Sequence, residues 1–224
     1  MAKIVIEKDD WHEVYEALEG EVIKTSVYDD FIINLMGDVS GKKVLDYGCG
    51  PGIIGKALEK QDAEVDVYDI NKRILKIARK RVPEKNIIYD TNSIGKNIYD
   101  FVLCNLVLCI VEDGQVSEIL HHIFDALKQK GVVFIGFCNP KIFKVRETNL
   151  DLRHFTGNRY KDNHGYLKEK KEGGYFILEK HRPIEWYNDT FIKAGFRIEK
   201  KLFTSPYIFK GRQIKDFVIF KLTK

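Results

Sequence analysis

The sequence predicts an α/β fold: a seven-stranded, mostly parallel sheet with an antiparallel last strand and helices on both faces. Three observations predict it. Short apolar runs alternate with helically periodic segments from residue 43 to residue 137. The run 101–105 (FVLCN) is almost wholly apolar, as a central parallel strand covered on both faces should be. The tail supplies two more strand-like runs, 195–204 and 214–222, that read as an antiparallel pair behind a helix over 184–194. Right-handed crossovers between parallel strands then put helices on both sides of the sheet.

The elements follow in order. Val14, Leu18 and Val22, then Val27, Phe31, Ile32 and Leu35, recur at helical spacing and predict one or two helices over 11–36. A strand over 43–47 (KVLDY) runs into Gly48, Gly50 and Gly52, and a helix over 53–60 follows. A second strand covers 65–69, and a helix over 71–81 is stopped by Pro83. Strands at 86–89 and 101–105, a helix over 116–130 ending at Gly131, and a strand at 132–137 complete five units. Between 139 and 183 lies a polar, aromatic-containing segment with a hairpin, 166–171 and 175–181, turning at Gly173-Gly174. The expected organisation is one domain over 1–224. It has a helical cap (1–41), a ligand-binding core (42–139), an inserted cover (140–183) and a closing helix with its strand pair (184–224). An insertion at the carboxyl edge of a parallel sheet is where a substrate cover belongs.

Composition excludes several classes. With 44% hydrophobic and 12% aromatic residues in 224, the chain can bury a core and is not intrinsically disordered. The longest uncharged run, 101–111, is too short to span a bilayer. The N-terminus turns acidic within seven residues and lacks the apolar stretch of a signal peptide. Cys49, Cys104, Cys109 and Cys138 form no Cys-x-x-Cys pair, so a reduced, cytoplasmic protein without structural zinc is expected. No group of residues has metal-ligand spacing. The net charge of +4 is unevenly spread: residues 140–224 hold 20 Lys+Arg against 10 Asp+Glu, and the rest hold 17 against 23. Such an excess marks either a face for anions or nucleic acid, or a solvated surface.

The informative stretch is Val44-Leu45-Asp46-Tyr47-Gly48-Cys49-Gly50-Pro51-Gly52. A strand passing straight into glycines and a helix lets a ligand approach the backbone at the switch point of the sheet. A dinucleotide loop needs the spacing G-x-G-x-x-G and places a pyrophosphate on the helix N-terminus. Here the third glycine comes one residue early and position 53 is Ile. Asp46, directly before the loop, would repel a pyrophosphate, and leaving it buried and unpaired would cost about 3–5 kcal/mol. A ligand bearing an ammonium or sulfonium removes that objection. Asp69, at the end of the second strand, suits the two ribose hydroxyls of a nucleoside. Together the two acids favour a cationic adenosyl ligand.

VLDYGCGPG followed by VDVYDIN resembles the first two motifs of the class I (Rossmann-like) S-adenosylmethionine-dependent methyltransferases. The resemblance covers residues 43–138. It implies a methyltransferase fold, S-adenosylmethionine as cofactor and S-adenosylhomocysteine as product. It implies cofactor contacts from Asp46, Gly48, Cys49 and Gly50, and from Asp69 with Ile70. Asp90 and Thr91, in IIYDTNSI, match the position that meets the adenine amino group. Asn105 and Leu106 match the fourth-strand end that meets the methionine ammonium. Tyr28, in the N-terminal helical region, lies where the family often places a side chain against the methionine carboxylate. HRPIEWYNDTFIKAGF is similar to the segment before the sixth strand of many small-molecule methyltransferases.

Methyl transfer needs alignment and exclusion of water, and a base only where the nucleophile is protonated. His181, ending the hairpin beside Arg182 and Pro183, is the expected base; His164, Tyr166 and His154 are weaker candidates. His121 and His122 read as surface or packing residues. Phe143, Phe155, Tyr160, Tyr166, Tyr175 and Trp186 are expected to line a pocket for a small-metabolite acceptor with an O or N nucleophile. An RNA substrate is the alternative that the basic C-terminal part supports. Against it, the fourth strand is followed by Asn105-Leu106-Val107-Leu108 and not the Asp/Asn-Pro-Pro-aromatic run of base-amino methyltransferases. A regulatory module that binds an adenosyl ligand without catalysis, and an NAD-dependent oxidoreductase, are the remaining readings; Asp46 and the glycine spacing disfavour the last.

Overall fold

The computed structural model describes residues 5–6, 10–157 and 159–224. Residues 1–4 and 7–9 of the expected cap lie outside the described residues. The first described element is β1 (Val5–Ile6). The cap follows as a 3₁₀ turn at Trp11–Val14, α1 (Tyr15–Glu19), α2 (Val22–Lys24), a π-helical stretch Thr25–Asp29, and α3 (Asp30–Met36). The core runs β2 (Lys43–Tyr47), α4 (Ile53–Glu59), β3 (Glu64–Tyr68), α5 (Lys72–Ala78), β4 (Ile87–Ile88), β5 (Tyr99–Asn105), α6 (Asp113–Ala126) and β6 (Leu127–Cys138). Then come β7 (Asp151–Phe155), β8 (His164–Lys170) and β9 (Phe176–His181). The chain closes with α7 (Ile184–Lys193), β10 (Arg197–Phe203), β11 (Tyr207–Phe209), β12 (Arg212–Ile214) and β13 (Phe217–Thr223).

Seven strands make one sheet in the order β10-β13-β6-β5-β2-β3-β4, and β13 is the antiparallel member. The expected fold class is the one observed. Successive side chains of β2 point to opposite faces. Leu45 joins Val102, Val133, Leu120, Ile123 and Phe191 on the α6 and α7 side. Val44 joins Val65, Leu103, Ile32, Leu58 and Leu75 on the side of α3, α4 and α5. Local caps fix the helix starts. Asn71 accepts from the amides of Arg73 and Ile74, and Glu112 with Gln115 forms a reciprocal capping box at α6.

Several boundaries differ from expectation. The helix expected to reach residue 130 ends at Ala126, and β6 starts without a turn. Gly131 sits inside that strand, packed so closely that a Cβ would meet Leu127 Cδ2 and the Lys128 carbonyl at 2.9 Å. It accommodates an irregularity in the pairing with β5 and does not stop a helix. The cap breaks into shorter pieces because π-helical and 3₁₀ turns interrupt it.

The inserted segment is more ordered than a lone hairpin. A second sheet forms with the order β1-β9-β8-β7. The N-terminal strand is drawn in parallel to β9, with Val5 opposite Phe176 and Ile6 opposite Ile177. This cover is tied to the cap at the β8–β9 turn. Glu172 accepts from the Ile23 amide at 3.1 Å and the Lys24 amide at 3.4 Å, and Tyr175 donates to Glu21 at 2.6 Å. Arg182 ties the cover to the loop after β5. It is 1% exposed and donates to Asp113 and to the carbonyls of Leu108 and Val111 at 2.6–2.7 Å.

Close backbone approach is needed where the cap meets the sheet. Tyr28 stacks on Phe217 at 4.1 Å, and a Cβ at Gly136 would lie 1.8 Å from its hydroxyl oxygen. Gly136→Ala should therefore overpack this contact and lower stability by about 1–3 kcal/mol; a urea melt that matches the wild type would refute the contact.

Candidate active site

The carboxyl ends of β2, β3 and β5 open into one cavity of about 380 Å³. Asp46 lies on β2 between Val67 of β3 and Leu103 of β5. It is 1% exposed and lines the cavity. The Gly55 amide supports it, yet Oδ2 has no hydrogen-bond partner among the described residues. Burial, then the charge of Asp69, pushes its pKa up to about 7. Asp69 is also raised by burial, against amide donors that hold the charge: Gly50 at 3.0 Å and Asn71 at 2.9 Å. The glycine loop is shaped to bring backbone and not side chain to this space. Gly48 takes φ +82, and a Cβ there would strike Val107 at 2.2 Å.

Most of the residues expected to meet the cofactor come together here. Asp46, Gly48, Cys49, Gly50, Asp69, Ile70, Thr91, Asn105 and Leu106 all line the cavity. Two do not. Tyr28 lies fully buried behind it, with its hydroxyl directed at Gly136 and without a partner among the described residues. Asp90 is exposed and turns back to bond the Asn92 amide at 3.0 Å, closing the 3₁₀ turn at Thr91–Ser93.

The expectation for His181 needs correction. Its side chain is 4% exposed and does not line the cavity. The ring packs against Phe143 at 4.6 Å and His164 at 4.9 Å, with Nε2 on the Tyr160 carbonyl at 2.8 Å. Burial lowers its pKa, with the His164 ring adding to the fall. It shares the face of β9 with Ile177 and Glu179, which line the cavity, but at the far end of the strand, where Phe143, His164 and Tyr160 enclose it. His154 and His164 do not line the cavity either. Of the aromatics expected in the pocket, only Tyr175 faces it. Phe143, Phe155 and Tyr166 instead surround a separate space of about 20 Å³ beside His181, and Trp186 stacks under Arg182. His122, expected to be surface or packing, lines the cavity beside Tyr47, whose hydroxyl lies 3.3 Å from its Nδ1.

The cavity also has walls that residue patterns did not reveal. The cap contributes Trp11, Leu18, Glu21, Lys24 and Asp29; the cover contributes Lys168, Lys170, Tyr175, Ile177 and Glu179. Asp29 is 2% exposed, bonds Lys24 through Oδ2 at 2.8 Å, and leaves Oδ1 without a partner among the described residues. Burial raises its pKa against the opposing charge of Lys24. A string of unpartnered buried acceptors, Asp46 Oδ2, Asp29 Oδ1 and Asn105 Oδ1, therefore stands along or beside the cavity. Acceptors left bare in this way demand donors, and two are carboxylates that favour a cation. Among the described residues no cluster of His, Cys, Asp and Glu could hold a metal ion.

Comparison with known proteins agrees with this chemistry. The methyltransferase domain family matches residues 22–183. A ubiquinone biosynthesis O-methyltransferase of Actinobacillus pleuropneumoniae is 34% identical over 123 residues, covering 49% of this chain and 51% of that protein. The chain thus spans about half the length of the curated relatives it matches. Among solved structures, an S-adenosylmethionine-dependent methyltransferase from Mesorhizobium loti aligns with a TM-score of 0.62 at 18% identity, covering 86% of this chain and 96% of the other. A Burkholderia thailandensis 1,6-didemethyltoxoflavin-N1-methyltransferase, solved with 1,6-didemethyltoxoflavin and S-adenosylhomocysteine, aligns with a TM-score of 0.61 at 14% identity over 96% of this chain and 84% of that one. The chain belongs to the class I S-adenosylmethionine-dependent methyltransferases. S-adenosylmethionine is its cofactor, and the bare acid at Asp46 fits the positive charges of that molecule.

Three variants test the acids. Asp46 has a folded-state pKa near 7 against an ordinary 3.8, so the empty folded protein holds a proton that the unfolded chain releases. Its stabilising effect is full below about pH 4 and is lost as pH rises through about 7. Asp46→Asn should flatten that slope in melts of the empty protein and raise stability at pH 8. Asp46→Ala should keep the fold but weaken S-adenosylmethionine about 100-fold or more, the loss expected for an ion pair in a buried site. Unchanged calorimetric affinity would overturn the role of this acid. Asp69→Ala should weaken S-adenosylmethionine and S-adenosylhomocysteine alike, by about tenfold; a loss confined to one of them would place Asp69 away from the shared nucleoside.

Proposed function

We propose that this chain transfers the methyl group of S-adenosylmethionine to an oxygen of a small molecule enclosed between the large sheet and its cover. The observation that carries the reading is the continuity of the cavity. One part is walled by the bare Asp46 and the glycine loop, the other by side chains of the cover sheet. When bound, the sulfonium supplies an activated methyl carbon and a neutral thioether leaving group. Asp46 and Asn105 would hold the methionyl portion, and Asp69 would take the ribose hydroxyls. Ile70 and Thr91 would flank the adenine. The cap and cover, sewn together by Glu172 and the Tyr175–Glu21 bond, would exclude water while acceptor and methyl are aligned.

Oxygen is favoured over nitrogen by the curated relatives, which are O-methyltransferases. An enclosed acceptor is favoured over RNA by four of the twenty C-terminal cations. Arg153, Lys168, Lys170 and Arg182 are all at most 6% exposed. They belong to the excess that suggested a nucleic-acid face, yet they are turned inward, where no phosphate backbone could reach them.

The test is release of S-adenosylhomocysteine by purified protein against a panel of hydroxylated and amino metabolites, with total tRNA in parallel. Release with a hydroxylated metabolite is expected. Release with tRNA alone, or calorimetric failure to bind S-adenosylmethionine, would overturn the proposal.

A further inference from the structure

Two lysines of the cover, each beside a glutamate, line the cavity, and the two pairs differ in kind. Lys168 and Lys170 stand on the same face of β8, about 7 Å apart along the strand. They are 4% and 6% exposed. Lys168 is held between its own sheet and β6. Its ammonium bonds Glu179 of β9 and reaches Cys138 Sγ at 3.3 Å, and the other oxygen of Glu179 receives the Tyr166 hydroxyl. That cluster is closed and structural.

Lys170 is otherwise. Its ammonium meets Glu21 only at 3.5 Å, beyond a good hydrogen bond. Glu21 is 2% exposed and belongs to the cap, not the cover. It is fixed by the Tyr175 hydroxyl at 2.6 Å, which leaves room on the carboxylate. A buried ammonium keeps its three donors only if something uses them. Trp11, Leu18, Ile110 and Ile177 provide apolar walls in the same cavity. Lys24 with Asp29 is the next charged pair, and it is closed on the lysine side at 2.8 Å.

We infer that Lys170 and Glu21 form the acceptor-activating pair of this enzyme, and that the acceptor presents an acidic hydroxyl of the phenol class. The inference rests on the methyl-transfer reading above. Lys170 donates to the acceptor oxygen and stabilises it as an anion. Glu21 accepts the O–H proton. The oxygen then forms the bond to the methyl carbon as the carbon–sulfur bond breaks, its electron pair remaining on sulfur. The proton leaves Glu21 for solvent when the cover opens. An amine acceptor would find a cation facing it, and an aliphatic alcohol is too weak an acid for a carboxylate base.

The experiment uses 4-nitrocatechol, whose visible absorption reports its ionisation, titrated into the S-adenosylhomocysteine complex. In the wild type the bound probe should ionise at least one pH unit below the free probe. Lys170→Met should abolish the shift, and Glu21→Gln should slow S-adenosylhomocysteine release about 100-fold at pH 7 with unsubstituted catechol, a weaker acid that is un-ionised at that pH and needs a base. The double variant Lys170→Met/Glu21→Gln leaves no stranded charge and guards against misfolding. All three should bind S-adenosylhomocysteine within twofold of the wild type by calorimetry. The pairing is overturned if the bound probe titrates like the free one, if no probe binds at millimolar concentration, if Lys170→Met retains the shift, or if the variants lose S-adenosylhomocysteine binding. Failure of the wild type to bind S-adenosylhomocysteine would instead sink the methyl-transfer reading.

Discussion

A carboxylate sealed inside a protein without a counter-charge costs several kcal/mol, and Asp46 is such a group. It cannot be relieved from within. The strongest charge acting on it is that of Asp69, of the same sign, and the Gly55 amide satisfies only part of it. The arrangement persists because β2 is clamped between β3 and β5 and fixes the backbone at that depth. Everything else at this end of the sheet is subordinate to that acid. The glycine loop clears space beside it, Asp69 holds the loop through the Gly50 amide, and Val107 fills the place a side chain at Gly48 would take.

The cover solves a different problem. A sheet of this size normally turns its apolar side inward and its charges to water. Here the buried positions of β7, β8 and β9 include Asp151, Arg153, Lys168, Lys170, Glu179 and His181, while Leu178 stands 45% exposed. Such a face is stable only because it is nearly self-neutralised. Arg153 meets Asp151 at 2.7 Å and Asp216 at 3.7 Å, and Glu179 meets Lys168. Charges matched this closely contribute little net stability. They do make the interior of the cover polar, which suits an acceptor that must be oriented and not merely enclosed.

The parallel core was legible because its determinants are local. KVLDY and VDVYD carry both the strand propensity and the acids that matter, FVLCN carries the propensity of a buried strand, and the glycine spacing itself separates this loop from a dinucleotide loop. The cover was not legible for an equally physical reason. In a strand reading Tyr-Leu-Lys-Glu-Lys, alternation alone cannot say which side faces water, and hydropathy points the wrong way. His181 failed as a base on the same ground: its position beside a turn was visible, but the ring's direction depends on Phe143, which lies 38 residues earlier in the chain. Glu21, Asp29 and Trp11 sit in a cap whose short, mixed helices obscure any periodic signal. Only the tertiary pairing of cap and cover brings them to the cavity.

The union of β1 with β9 ties residues 5–6 to residues 176–177. Contacts so remote in sequence are slow to form, since a long loop must close before they are rewarded. During synthesis the five core strands through β6 are complete some forty residues before the partner of β1 has been made. The nucleoside end can therefore take shape on the ribosome while the roof is still missing, and the cavity gains its far wall only once the last third of the chain emerges.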